Sequence, residues 1–130
     1  MIVREFREPD IPALFELHQR TYIDKFPFPD WRDPLYPIKE TVENESGRIV
    51  GAGFLKILAE PILIVDKACS STERAHIVRE LLMVGKMKTT KLGIPDWHVF
   101  IKNDKVFVKF LIEVFGFTRL DEDALYLRLE

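Results

Sequence analysis

The stretch 61–95 constrains this chain more than any other. It opens on Pro61-Ile62-Leu63-Ile64-Val65, turns through Asp66-Lys67-Ala68-Cys69, and enters Ser70-Ser71-Thr72-Glu73 ahead of a helical pattern. A strand that is apolar on both faces wants a neighbour on each side, so 61–68 reads as a central strand. Ile77, Val78, Leu81 and Leu82, continued by Gly85 or Met87, form a helical stripe that predicts a helix over about 72–92. Gly93-Ile94-Pro95 stops it. Ser70 with Glu73 three residues on has capping-box spacing: the serine oxygen takes a backbone N–H and the glutamate reaches back. Strand, tight loop and helix N-terminus is also an arrangement that holds phosphate, through the helix dipole and unpaired N–H groups. Two readings therefore stand for 70–74, a cap alone or a cap plus an anion site, and Glu73 puts negative charge where a phosphate would sit.

The flanking sequence supplies the remaining elements. Ile2-Val3-Arg4-Glu5-Phe6 predicts a first strand, ended at Glu8-Pro9-Asp10, with Asp10 as N-cap of a helix carrying Ile11, Leu14, Phe15, Leu17 and Tyr22 at helical spacing. Residues 26–37 hold Pro27, Pro29, Pro34 and Pro37 among Phe26, Phe28, Trp31 and Tyr36, a proline density that forbids a helix interior and predicts a structured loop with aromatic anchors. A hairpin follows: strand 38–43, turn Asn44-Glu45-Ser46-Gly47, strand 48–57, with Gly51 and Gly53 marking a bulge or close backbone approach. Beyond the long helix come strand 97–101, helix 104–115 closed by Gly116, and a last strand 125–129. The order β-α-loop-β-β-β-α-β-α-β predicts an α+β (mixed α/β) fold, a central mixed sheet flanked by helices, in one domain over 1–130.

Composition narrows the function classes. The balance of 19 Lys+Arg against 21 Asp+Glu, a net −2, gives little support to a nucleic-acid surface, although Lys86, Lys88 and Lys91 share one helix. Cys69 is alone, so no internal disulfide or cysteine-based metal cluster is expected, and His18, His76 and His98 lack ligand spacing. No apolar run approaches the roughly 18 residues of a membrane span, and the first residues read as a strand and not as a signal peptide. A cytoplasmic protein without a metal is the expectation.

Three stretches carry a resemblance: "ESGRIVGAGFL" (45–55), "PILIVDKA" (61–68) running into "STERAHIVRELL" (71–82), and "NDKVFVKFLIEVFGF" (103–117) with "ALYLRL" (124–129). Together they resemble the GNAT superfamily of acyl-CoA N-acyltransferases over nearly the whole chain. The resemblance implies an N-acetyltransferase, with acetyl-CoA as cosubstrate in a V-shaped gap between strands 61–68 and 97–101, and an amine as acceptor. It implies that the backbone of Val65 and Asp66 holds the pantetheine arm. Ser70, Ser71, Thr72, Arg74 and Ala75 would hold the pyrophosphate, and Asn103 would contact CoA. Asp66, Glu40 or His98 would take the proton from the amine, and Phe28, Trp31 and Tyr36 would wall the acceptor pocket. A homodimer through the C-terminal strands is a further implication.

Each of these residues also has a plainer reading. Asp66 suits a surface ion pair, His98 a half-buried structural role, Glu40 and Glu43 a solvated strand edge, Asn103 a helix start, and the loop aromatics a small core. The family's loop pattern, Gln or Arg, then Gly, then Gly or Ala, falls here on Glu73, His76 and Val78. No tyrosine lies between 104 and 115 to protonate a leaving thiolate. These departures keep a second reading open: a non-catalytic protein of this fold that binds or interacts without efficient acetyl transfer.

Overall fold

Three of the expected strands find one another in an antiparallel sheet of order β1-β2-β3, formed by β1 (Ile2–Glu5), β2 (Ile38–Glu43) and β3 (Ile49–Leu55). A computed structural model describes residues 1–129, and it is a mixed α+β structure with this small sheet and three α-helices. Two compact units, Met1–His98 and Val99–Glu130, make up the chain.

In the first unit the β2–β3 hairpin follows directly from its turn residues. Asn44 Oδ1 accepts from the N–H groups of Ser46 (3.1 Å) and Arg48 (3.0 Å), and Gly47 takes the left-handed backbone (φ 79°) that closes the turn. The bulge foreseen at the strand glycines lies one step earlier: Glu43 pairs with Ile49 and Val42 with Gly51, so Val50 is the extra residue. A short 3₁₀ turn (Glu8–Asp10) leads into α1 (Ile11–Thr21), which lies against β3 and buries Leu14 and His18 one helical turn apart.

The proline-rich segment is pinned by aromatic contacts in two groups. Trp31 meets Phe6 at 5.4 Å, Phe6 meets Phe54 at 5.5 Å, and Tyr36 meets Phe54 edge-on at 6.2 Å, all against the sheet. On α1, Phe28 lies 5.5 Å from both Phe15 and His18. His18 Nε2 donates to the Phe26 carbonyl at 2.6 Å, so a buried polar ring is satisfied by the loop it supports.

The helix expected over about 72–92 is α2 (Ser71–Lys91), which buries Val78 and Leu82. In the second unit, α3 (Lys105–Phe115) starts at Asp104, whose Oδ1 accepts from the Phe107 N–H at 2.9 Å. It ends at Gly116 (φ 75°), with Phe117 N–H returning to the Leu111 carbonyl at 3.1 Å.

The other three expected strands differ from the structure. Residues 61–68, 97–101 and 125–129 carry no strand pairing among the described residues. Burial still alternates along 61–65, with Ile62 and Ile64 at 77% and 92% exposure between half-buried neighbours. The period-two pattern is therefore present, but a strand also needs a neighbour about 4.8 Å away to take its N–H and C=O groups. One backbone bond lies near them among the described residues, from His98 N–H to the Ala59 carbonyl at 2.9 Å, two residues ahead of 61–68.

Candidate functional site

The loop 66–74 is built from local hydrogen bonds. Asp66 Oδ1 accepts from the Ala68 N–H at 2.8 Å, a turn that a short carboxylate side chain makes with its own backbone. The capping box then forms in full: Glu73 N–H donates to Ser70 Oγ at 3.2 Å, and Ser70 N–H donates to Glu73 Oε2 at 2.8 Å. Arg74 N–H already bonds the Ser70 carbonyl. The amides of Ser71 and Thr72, the first two of the helix, have no acceptor among the described residues, and helix geometry offers them none. Arg74 is half-buried in that first turn and forms no ion pair with the described residues. Val78 turns into the interior at 7% exposure, whereas His76 is exposed.

This arrangement offers an anion two free amides and the positive helix end, with Arg74 in the same first turn, opposed by the Glu73 carboxylate. The fit to a pyrophosphate is partial: the donors are present, and Glu73 must leave the Ser70 amide for an anion to settle there. Val65 and Ala75 flank the loop, both half-buried, so Val65, Asp66, Ser70, Ser71, Thr72, Arg74 and Ala75 share one neighbourhood by sequence proximity and local bonding.

Other candidate residues stand elsewhere. Glu40 is exposed on β2, opposite Glu5 and Gly53. His98 has its Nδ1 buried without a hydrogen-bond partner, 3.9 Å from the Asp96 carboxylate, on a side chain that is 25% exposed. Trp31 and Tyr36 belong to the aromatic group on the sheet and Phe28 to the group on α1. Asn103 lies in the second unit with φ 54°, a left-handed conformation that asparagine tolerates better than most residues, just ahead of the α3 cap.

Two features have no simple counterpart in the sequence patterns. The first concerns Asp10, expected as the N-cap of α1. It stands at that position, but its carboxylate makes no cap hydrogen bond to α1; it accepts from Arg4 Nη2 and Nη1 instead, at 2.7 and 2.8 Å, along with the Arg7 N–H and the Thr41 hydroxyl. Arg4 also grips Glu43 Oε1. The Arg4 hydrogen bonds hold the Asp10 carboxyl at about 2, below its ordinary 3.8, and the two carboxylates raise the Arg4 guanidinium further above its usual range. Every group in this network is paired, so its role is to lock β1, the 3₁₀ turn and β2 together.

The second feature is a cleft of about 340 Å³ beside the C-terminal half of α2, between Leu81, Leu82 and Gly85 of the helix, the segment 59–63, and Trp97. Trp97 donates its indole N–H to Thr89 Oγ1 at 3.0 Å, and its ring edge stands 3.4 Å from where a Cβ on Gly85 would lie. None of the residues singled out for catalysis or cofactor binding lines it. At 1.5 Å per residue, roughly 20 Å of helix separates Gly85 from the capped end of α2. Among the described residues no group of three or more His, Cys, Asp and Glu side chains is placed to hold a metal, and no helix is long and apolar enough to cross a membrane. No protein-family profile, curated protein or solved structure matches the chain.

Proposed function

We propose that the chain is a small GNAT-type N-acetyltransferase that moves an acetyl group from acetyl-CoA to an amine. The observation that supports this most is the first turn of α2, where two free amides and the ion-pair-free Arg74 follow the apolar segment 61–68. The strand order of that family, and its splayed gap between 61–68 and 97–101, belong to the same proposal; the backbone bond from His98 to Ala59, two residues ahead of 61–68, supports it.

In this reading the amine nitrogen attacks the thioester carbonyl directly, the C–S bond breaks, and CoA leaves as a thiolate. A backbone N–H within 65–67 donates to the developing oxyanion. The proton released by the amine passes to a base directly or through water. Asp66 retains an oxygen not used in its turn, and His98 retains a free Nδ1. Glu40 is exposed and would act only through water. With no tyrosine on α3, water protonates the thiolate.

The second reading, a non-catalytic binding or interaction protein of this fold, is favoured by one observation: Glu73 occupies the Ser70 amide and so supplies the helix end with an anion from the chain itself. Turnover separates the two. Incubated with acetyl-CoA and a panel of polyamines, amino acids and peptides, the first reading predicts release of free CoA thiol that depends on the amine. CoA binding without thiol release from any acceptor leaves the second reading.

A further inference from the structure

Helix α2 carries two apolar faces, and the fold uses one of them. Val78 and Leu82 are buried, and Gly85 and Thr89 lie on the same side against Trp97. At about 100° per residue, Met83, Val84 and Met87 fall together on the outward side. They stay 50%, 44% and 60% exposed. A lone exposed apolar residue needs no explanation, whereas an adjoining set on one sector of a helix points to a partner. Basic residues border this strip. Arg79 and Lys86 run along one flank and Lys88 along the other, with Lys91 one turn beyond Met87. All four are exposed, and none forms an ion pair with the described residues. Glu80 is the only acidic residue between Arg74 and Asp96. The helix dipole accounts for Lys88 and Lys91 in the last turn, but gives no reason for Arg79 and Lys86, nor for methionines that face water.

We infer that this face is a docking surface for an anionic lipid bilayer, with α2 lying in the plane of the headgroups. Met83, Val84 and Met87 would enter the boundary between headgroups and acyl chains. The flanking basic side chains would lay their apolar stems beside them and set their charges among the lipid phosphates and carboxylates. Charge and shape favour this occupant over the others. A second copy of the chain would set lysine against lysine. A nucleic acid would use the charges and leave the methionines in water. A peptide helix needs a groove, and this sector is the convex crest of a single helix. Such contact lies on the bilayer and needs no spanning helix. The inference does not rest on acetyl transfer and involves neither CoA nor an acceptor.

Sedimentation with large unilamellar vesicles tests it. At low ionic strength the chain should pellet with phosphatidylcholine vesicles that hold about one third phosphatidylserine, and stay in solution with phosphatidylcholine alone. Salt at about 0.5 M should release most of it. Each lysine near such a surface is worth roughly fivefold in partitioning, so Lys86→Gln, Lys88→Gln and Lys91→Gln together should weaken binding on the order of a hundredfold. The same change at Lys25, Lys102 and Lys105, exposed lysines elsewhere, alters the net charge equally and should leave binding nearly intact. Met83→Gln with Met87→Gln keeps every charge and should weaken partitioning by about tenfold. Every substituted side chain is exposed, so circular dichroism should show each variant folded. No pelleting with the anionic vesicles, equal pelleting with both compositions, equal loss from the two lysine triples, or indifference to the methionine change overturns the inference. So does binding of labelled single-stranded DNA that is tighter than vesicle binding and is lost with Lys86, Lys88 and Lys91.

Discussion

At the scale of single residues, chemistry is decided by which partner a side chain has already taken. Asp10 is the clearest case. Its folded pKa of about 2 lies below the ordinary 3.8, so its stabilising contribution is complete above about pH 4 and is lost as the pH falls towards 2. The gap between the two values corresponds to roughly 2 kcal/mol. Asp10→Asn should therefore lower the urea-unfolding free energy at pH 5.5 by roughly that amount and flatten its fall between about pH 4 and 2. Glu73 presents the opposite problem, a satisfied group that stands in the way of a ligand. Glutamine keeps the capping-box pattern and removes the charge. Glu73→Gln should leave the melting temperature nearly unchanged and tighten CoA binding. Ser70→Ala, which removes the cap oxygen, should cost about 1 kcal/mol in denaturant unfolding. Unchanged CoA affinity in Glu73→Gln would count against a phosphate at this helix end.

Among the elements, α2 links the capped loop at its N-terminus to the Trp97 contact in its C-terminal half. Its C-terminal half is organised by Gly85, where a Cβ would meet the Trp97 ring at 3.4 Å, an ordinary van der Waals contact. Gly85→Ala should fit and raise stability by up to about 1 kcal/mol through helix propensity, read as a higher urea midpoint. A loss of stability would show that the indole has no room to accommodate even a methyl group. The helices were legible in the sequence because their signals are local. Ser70-x-x-Glu73, Asp104 and Gly116 mark ends within a few residues of the stripes they bound, and the Asn44–Gly47 turn is equally local. Segments 61–68 and 125–129 show the limit of the same method. The apolar run 62–65 and the apolar residues of 125–129 report a capacity for pairing, whereas a strand requires a particular neighbour, and Leu125, Tyr126, Leu127 and Leu129 are 79–94% exposed. The Arg4–Asp10–Thr41–Glu43 network joins residues 6, 31 and 39 positions apart, and the cleft joins 59–63, 81–89 and 97. No periodicity spans such separations, so neither could be read along the chain.

For the molecule as a whole, the functional proposal concentrates acetyl-CoA recognition on one short loop of the first unit. The sheet and its aromatic clusters hold the 26–37 segment in place, the Arg4 network ties β1 to β2, and the first turn of α2 presents two amides and Arg74. If that turn holds the pyrophosphate, reversing the charge at residue 74 should remove affinity without unfolding the chain, because Arg74 forms no ion pair with the described residues. Isothermal titration with acetyl-CoA, run on the unmodified chain and on Arg74→Glu with folding checked by circular dichroism, tests this directly. The account predicts micromolar binding to the unmodified chain and loss of measurable heat in the folded Arg74→Glu variant. No binding by the unmodified chain at millimolar acetyl-CoA, or equal binding by both, would contradict it.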